Sequence, residues 1–87
     1  MLDEYIGKMV VVDLRSPFVC LGLLQRVDEL ALELLNADFH DLRDTKTDRE
    51  NYVASSRASG IKRNRKRILI MRAEVVGLTA FEDIVDV

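Results

Sequence analysis

The residues best suited to binding a ligand form a short basic run, Lys62-Arg63-Asn64-Arg65-Lys66-Arg67, with five cations in six positions. Closely spaced cations can neutralise several phosphates and release their counterions, which favours polyanion binding without sequence readout. The alternative is a solvated segment whose charges are balanced by the acidic residues Asp41, Asp44, Asp48 and Glu50. The sequence leaves both interpretations open.

Other chemistry is weakly indicated. His40 is the only histidine, and it lies among acids in Asp38-Phe39-His40-Asp41. One imidazole without a second histidine or a cysteine pair is a poor transition-metal set. With one histidine, no serine–histidine–acid arrangement is recognisable, and the chain has no glycine-rich phosphate loop. We therefore predict no metal, no cofactor, no small-molecule substrate and no enzymatic activity.

Composition sets further bounds. The chain has 87 residues and a formal net charge of −2, so nucleic-acid binding would need a local basic patch. The single cysteine, Cys20, excludes an intramolecular disulfide. The N-terminus does not resemble a signal peptide, and no apolar run approaches the roughly 18 residues of a membrane helix. We expect a cytoplasmic protein without a membrane partner, whose thin core favours self-association.

Hydrophobic alternation predicts an all-β fold, a small barrel formed as one domain over residues 1–87. The expected core residues are Val10, Val12, Leu24, Leu32, Leu34 and Ile70. Gly22 stands within the second strand, where a small barrel needs a sharp bend. The third strand is expected to carry Leu30 on the same face as Leu32 and Leu34, although a helix over residues 28–36 would also satisfy local propensity. The predicted strands are Met9–Leu14, Phe18–Val27, Leu30–Phe39, Ile68–Met71 and Val75–Phe81.

Two segments are expected to be helical. Met1–Ile6 can form one short helical turn that caps the barrel. Residues 41–66 form an insertion with a helix over Asp48–Ala58, in which Thr47 and Glu50 would make a capping box and Gly60 the C-cap. Tyr52 is expected to pack this helix onto the barrel or a neighbouring subunit, with stacking on a base as the alternative.

This pattern resembles the Sm and Sm-like family, as a divergent, bacterial-type member with an insertion between strands three and four. The resemblance covers roughly residues 5–40 and 66–81. Its markers are Gly7-Lys8, the first-motif residues Gly22, Leu24, Val27 and Asp28, the strand end Asn36-Ala37, and the second motif Ile68–Arg72 with Val75-Val76.

The resemblance implies a five-stranded, strongly bent antiparallel Sm-like barrel. It also implies a homo-oligomeric ring of six or seven copies, in which strand four of one subunit pairs with strand five of the next. Family members that bind uridine-rich RNA carry an asparagine that reads the base and a residue that stacks on it. Those positions hold Ala31 and Leu30 here, and Ala73 replaces a motif glycine. The base-reading pocket is therefore incomplete.

Two functions follow. The first is a ring that binds RNA with little sequence specificity through Lys62, Arg63, Arg65, Lys66 and Arg67, supported by Arg72. The second is a structural or protein-interaction ring that has lost RNA binding. For Arg72 itself, the alternative to an RNA contact is a structural ion pair with Asp28 or Glu74. Asp28 itself is expected to hold backbone amides in a turn.

Overall fold

A computed structural model describes residues 1–44 and 48–85 of the chain. Its strands and its helix follow the predicted order, with short 3-10 turns at Leu2–Tyr5, Leu42–Asp44, Arg72–Glu74 and Phe81–Asp83. The strands are β1 (Met9–Leu14), β2 (Phe18–Val27), β3 (Ala31–Asp41), β4 (Arg65–Met71) and β5 (Val75–Ala80), and the helix α1 (Arg49–Ser59) lies between β3 and β4. No helix among these residues is both long and apolar enough to cross a membrane.

The strands form one antiparallel sheet in the order β4-β3-β2-β1-β5. The sheet wraps around a core cluster that touches all five strands, including Ile68 of β4 and Leu78 of β5. In this ladder β4 and β5 are the two edges and do not pair with each other. The barrel is therefore open along a seam between β4 and β5.

The main core matches the predicted one, since all six expected residues are at most 5% exposed. Leu30 was predicted wrongly. It lies before β3, in the turn that Asp28 stabilises, and 76% of its surface is exposed. The alternative helix over residues 28–36 does not form, because β3 pairs with both β2 and β4 through this region.

A second apolar cluster lies on the other side of the sheet and was not predicted. Val11, Val19 and Leu21 pack there against Val53 of α1. The helix begins one residue later than expected, and its N-cap is Asp48, whose carboxylate accepts the Asn51 N–H at 2.8 Å. The predicted cap Thr47 lies outside the described residues. Gly60 closes the helix as predicted, with a φ of 96° that favours glycine.

The bend in β3 occurs at Asn36, whose φ of 49° is left-handed. Before it, Leu32 and Leu34 face the main core; after it, Ala37 and Phe39 do. Opposite this point the β2–β3 register shifts between Leu21 and Leu23. The sharp bend that was predicted at Gly22 in β2 thus lies opposite the bend in β3. A Cβ there would lie 3.0 Å from the Ala37 Cβ and 3.1 Å from the Leu35 carbonyl oxygen.

We predict that Gly22→Ala destabilises the fold by roughly 1–3 kcal/mol, because neither close neighbour can move without shifting the β3 backbone. Urea unfolding followed by circular dichroism measures this. Gly77→Ala is the matched control, since its Cβ would meet only Asp13 Oδ2, at 4.0 Å. Equal stability of the two variants would contradict the close approach of β2 and β3.

Candidate nucleic-acid interface

Half of the basic run belongs to a strand and not to a loop. β4 starts at Arg65, three residues earlier than predicted, and pairs Arg65 with Ala37 and Arg67 with Leu35. The predicted start at Ile68 was wrong because the polar residues 65–67 occupy an edge strand, where apolar side chains are not required.

Asn64 fastens the start of the basic run to β3. Its backbone N–H donates to the Ala37 carbonyl at 2.9 Å. Its side-chain amide accepts from the Phe39 N–H at 2.9 Å and donates to the Phe39 carbonyl at 3.0 Å. The amide thus makes the same pair of hydrogen bonds with Phe39 that the backbone of a neighbouring strand residue would make. Sequence reasoning counted Asn64 only as a gap between cations, since nothing in the sequence revealed its partner.

Arg67 is the most compensated cation of the run. Its Nε donates to Oε2 of Glu33, whose side chain is only 8% exposed, and Arg26 approaches the same carboxylate with Nε 3.3 Å from Oε1. The Arg67 hydrogen bond is the largest cause that holds the pKa of Glu33 below its ordinary value, and the charge of Arg26 adds to it. Arg67 is therefore a weak candidate for phosphate contact.

The other cations of the run are more available. Arg63 donates to the neutral Asn36 amide oxygen, and Arg65 donates to the Asn64 carbonyl at 3.1 Å while its guanidinium carbon lies 5.7 Å from the Phe39 ring centroid. Lys62 and Lys66 are exposed, and no carboxylate of the described residues lies within 4 Å of either ammonium.

Several acids that could have balanced the run have other partners. Asp41 pairs with Arg43 at 2.8 Å, and Asp48 caps α1. Glu50 pairs with Arg49, which also holds Asp13 at 2.6 Å. The charge of the basic run is consequently left largely exposed, apart from Arg67.

Arg72 lies apart from the run. It follows the far end of β4, and six residue steps separate Arg65 from Met71, a distance of about 20 Å along the strand. Its Nη1 donates to the Asp28 carbonyl at 2.9 Å, so the predicted ion pair is replaced by a bond to the backbone of the same turn.

Asp28 has the predicted structural role. Its Oδ1 accepts the Leu30 and Ala31 N–H groups at 2.8 Å each, and these two bonds are the largest causes that lower its pKa. The carboxylate and Arg72 therefore shape one turn.

Tyr52 attaches α1 to the sheet, as predicted. Its hydroxyl donates to Asp38 Oδ2, and its ring stacks on His40 with centroids 4.1 Å apart. Burial raises the pKa of Tyr52, and burial raises that of the Cys20 thiol to about 12, so both groups keep their protons at neutral pH. Within the described ranges, no three His, Cys, Asp or Glu side chains gather in a way that could hold a metal ion.

Comparison with known proteins supports the fold. No family model and no curated protein sequence matches the chain. The Sm protein of Pyrococcus abyssii, solved in complex with a uridine heptamer, matches with a TM-score of 0.63 and 19% identity over 91% of this chain and 90% of that one. A heptameric archaeal Sm protein matches with a TM-score of 0.61 and 21% identity over 91% and 93%. The chain therefore has the Sm fold, while the bacterial-type assignment stays a prediction.

We predict that Glu33→Gln lowers stability at pH 7, because Arg67 and Arg26 then lose their shared carboxylate. Since the folded-state pKa of Glu33 lies below its unfolded value, roughly 4.3, the wild type has this stability above that pH and loses it as pH falls through the folded-state pKa. Urea midpoints measured from pH 7 to pH 3 should converge at the acid end. Glu29→Gln, at an exposed turn, should show no such convergence.

Proposed function

We propose, on the basis of the Sm fold, that this chain assembles into a homo-oligomeric ring of six or seven copies and binds RNA through Lys62–Arg67 with little sequence specificity. The observation that carries the RNA part is the exposed basic run, which Asn64 fixes to β3 and which keeps most of its charge uncompensated. A ring would multiply this effect, because every copy presents the same segment and the copies act together.

Weak sequence preference follows from the missing pocket groups. Ala31 stands where the family resemblance expects a base-reading amide, and Leu30, though exposed, has no π-face to stack on a base. Arg72 is already bonded to the Asp28 carbonyl. Contacts to phosphates, which carry no sequence information, are then the main source of affinity.

The ring itself is supported by the two open edges. Exposed apolar side chains lie on both, with Leu69 and Met71 of β4 exposed by 47% and 48% and Val76 of β5 by 69%. A groove borders the β4 edge, and its lining is mostly apolar, with the polar Ser16 and Glu74 beside Leu14, Phe39, Ile68, Leu69, Ile70 and Met71. Unpaired edges with exposed apolar side chains favour pairing with another chain. Of the two solved Sm proteins that share this fold, one is heptameric and the other was solved in complex with a uridine heptamer.

The second candidate function is a structural or protein-interaction ring without RNA. It is favoured by the internal pairing of Arg67 and Arg72 and by the acidic overall charge of −2. That the protein acts in the cytoplasm and is not an enzyme remain predictions under either function.

We expect the double variant Lys62→Ala/Arg63→Ala to weaken binding of oligo-U and oligo-A alike. The slope of log affinity against log salt should fall by about 0.7 for each phosphate that the variant no longer neutralises. Fluorescence anisotropy over a series of salt concentrations measures both quantities, on protein whose mass in solution is known.

The matched control is Arg15→Ala/Arg43→Ala, which removes the same charge outside the basic run and should leave affinity nearly unchanged. Equal decreases in affinity in both double variants would show that only net charge matters. An absence of binding by the wild type even in low salt would contradict the RNA function and leave the structural ring.

A separate prediction concerns assembly. Val76→Lys should dissociate the ring without unfolding the subunit, because it places a charge at an exposed position of the β5 edge. Light scattering at micromolar concentration, together with circular dichroism, measures both effects. Leu30→Lys is the control, since its side chain is similarly exposed, at 76%, but lies in a turn. A wild type that is monomeric would contradict the ring.

A further inference from the structure

The two open edges of the sheet carry opposite distributions of charge. The β4 edge begins with the cations Arg65, Lys66 and Arg67 and ends in apolar residues up to Met71. The β5 edge begins with Val75 and Val76, and the acidic residues Glu82 and Asp83 follow its end. β4 therefore has one charged half and one apolar half, whereas β5 is uncharged along its length and is followed by two acids.

This arrangement selects the direction in which two copies can pair. In a flat sheet of alternating strands β4 and β5 would run in the same direction. Each strand is, however, twisted by roughly 20–25° relative to its neighbour, so the directions of β4 and β5 differ greatly across the five-stranded sheet. Geometry alone thus leaves both directions open. Parallel pairing would set the β4 cations beside Val76, whereas antiparallel pairing sets them beside Glu82 and the apolar ends beside each other. Antiparallel pairing is favoured because it brings the cations next to carboxylates and the apolar residues next to each other.

The matching extends to individual positions. An antiparallel ladder that places Met71 opposite Val76 places Arg67 opposite Ala80, the last residue of β5, because Arg67 lies four residues before Met71 and Ala80 four residues after Val76. Arg65 and Lys66 precede Arg67, so they would lie beyond the end of β5, beside the 3-10 turn Phe81–Asp83 that carries Glu82. The Glu82 side chain is 62% exposed and accepts from Lys8 Nζ at 2.5 Å. Lys8 therefore holds the carboxylate beside the end of β5, where a second cation can approach it.

We propose that Arg65 and Lys66 of one copy pair with Glu82 and Asp83 of the next, so that part of the basic run belongs to the subunit junction. This inference rests on the proposed ring and concerns which residues join its copies. These contacts are made by side chains, since β5 itself ends at Ala80. Lys62 and Arg63, which precede β4, then remain as the cations of the run that have no carboxylate partner among the described residues and can meet phosphate.

Assembly should accordingly weaken as salt rises. Reversing the charge of one partner should weaken assembly, and reversing the charges of both partners should restore it. Lys66→Glu, at an exposed position, should raise the concentration at which the ring dissociates by about tenfold in low salt, because one exposed pair is worth up to about fivefold and reversal adds repulsion. Asp83→Lys should have a similar effect. The combined variant Lys66→Glu/Asp83→Lys should recover most of the assembly, since the opposite charges then face each other again.

The measurement is mass by light scattering across dilution and salt series, with circular dichroism to confirm that each variant is folded. Lys62→Glu is the matched control, because it makes the same charge change in the basic run before β4 and should not alter assembly.

The outcomes separate the inference from the function on which it rests. A wild type that never assembles would overturn the ring itself. A ring that assembles but is indifferent to Lys66→Glu and Asp83→Lys, or whose combined variant is no better than the single ones, would overturn the charged junction alone.

Discussion

The close approach of β2 and β3 at Gly22 is the constraint on which most of this structure depends. A Cβ at Gly22 would lie 3.0 Å from the Ala37 Cβ and 3.1 Å from the Leu35 carbonyl oxygen, closer than an ordinary van der Waals contact. Together with the left-handed Asn36, this contact switches the face of β3 that points into the main core. As a result Asp38 and His40 turn to the opposite side, where Tyr52 docks α1. The same bend supplies the anchors of the basic run, since Arg63 bonds to Asn36 and Asn64 to Phe39.

Assembly and RNA binding share one stretch of chain in this account. A charged run on an edge strand can bind a neighbouring subunit, a polyanion or both. Which partner each cation binds depends on whether it already has a carboxylate partner. Glu33 engages Arg67 inside the subunit, and the junction proposed above would engage Arg65 and Lys66. Phosphate contact would then fall to the two cations before the strand. The missing base-reading groups are consistent with such a division, because an affinity built on few phosphate contacts per copy needs a ring to become appreciable.

The alternation of apolar and polar residues was enough to predict the main core. Within a strand, successive side chains point to opposite faces, so the face of Val12 or Leu34 follows from the sequence of its own strand. The second cluster could not be predicted this way. Val11 and Leu21 are covered by α1 and by apolar residues that follow the strands, among them Phe81 and Ile84, and the docking place of an insertion is not encoded in strand periodicity. The site shows the same limit. Its five cations were evident in the sequence, whereas the engagement of Arg67 by Glu33 depends on cross-strand register. Asn64 was overlooked because its function lies in two bonds to a residue 25 positions away.

The most direct test of the central claim is a covalent trap of the junction between copies. Opposite residues of an antiparallel ladder have Cα atoms about 4.5–5.5 Å apart, a separation that a disulfide can bridge. The variant Met71→Cys/Val76→Cys should therefore form, on mild oxidation, a ladder of covalent multimers that ends at the size of the ring. The native Cys20 will not interfere, because its thiol is buried and its pKa is raised to about 12. Multimers limited to the double variant would support antiparallel pairing of β4 with β5. Dimers formed by Met71→Cys alone, or no cross-linking in a preparation of known ring mass, would contradict it.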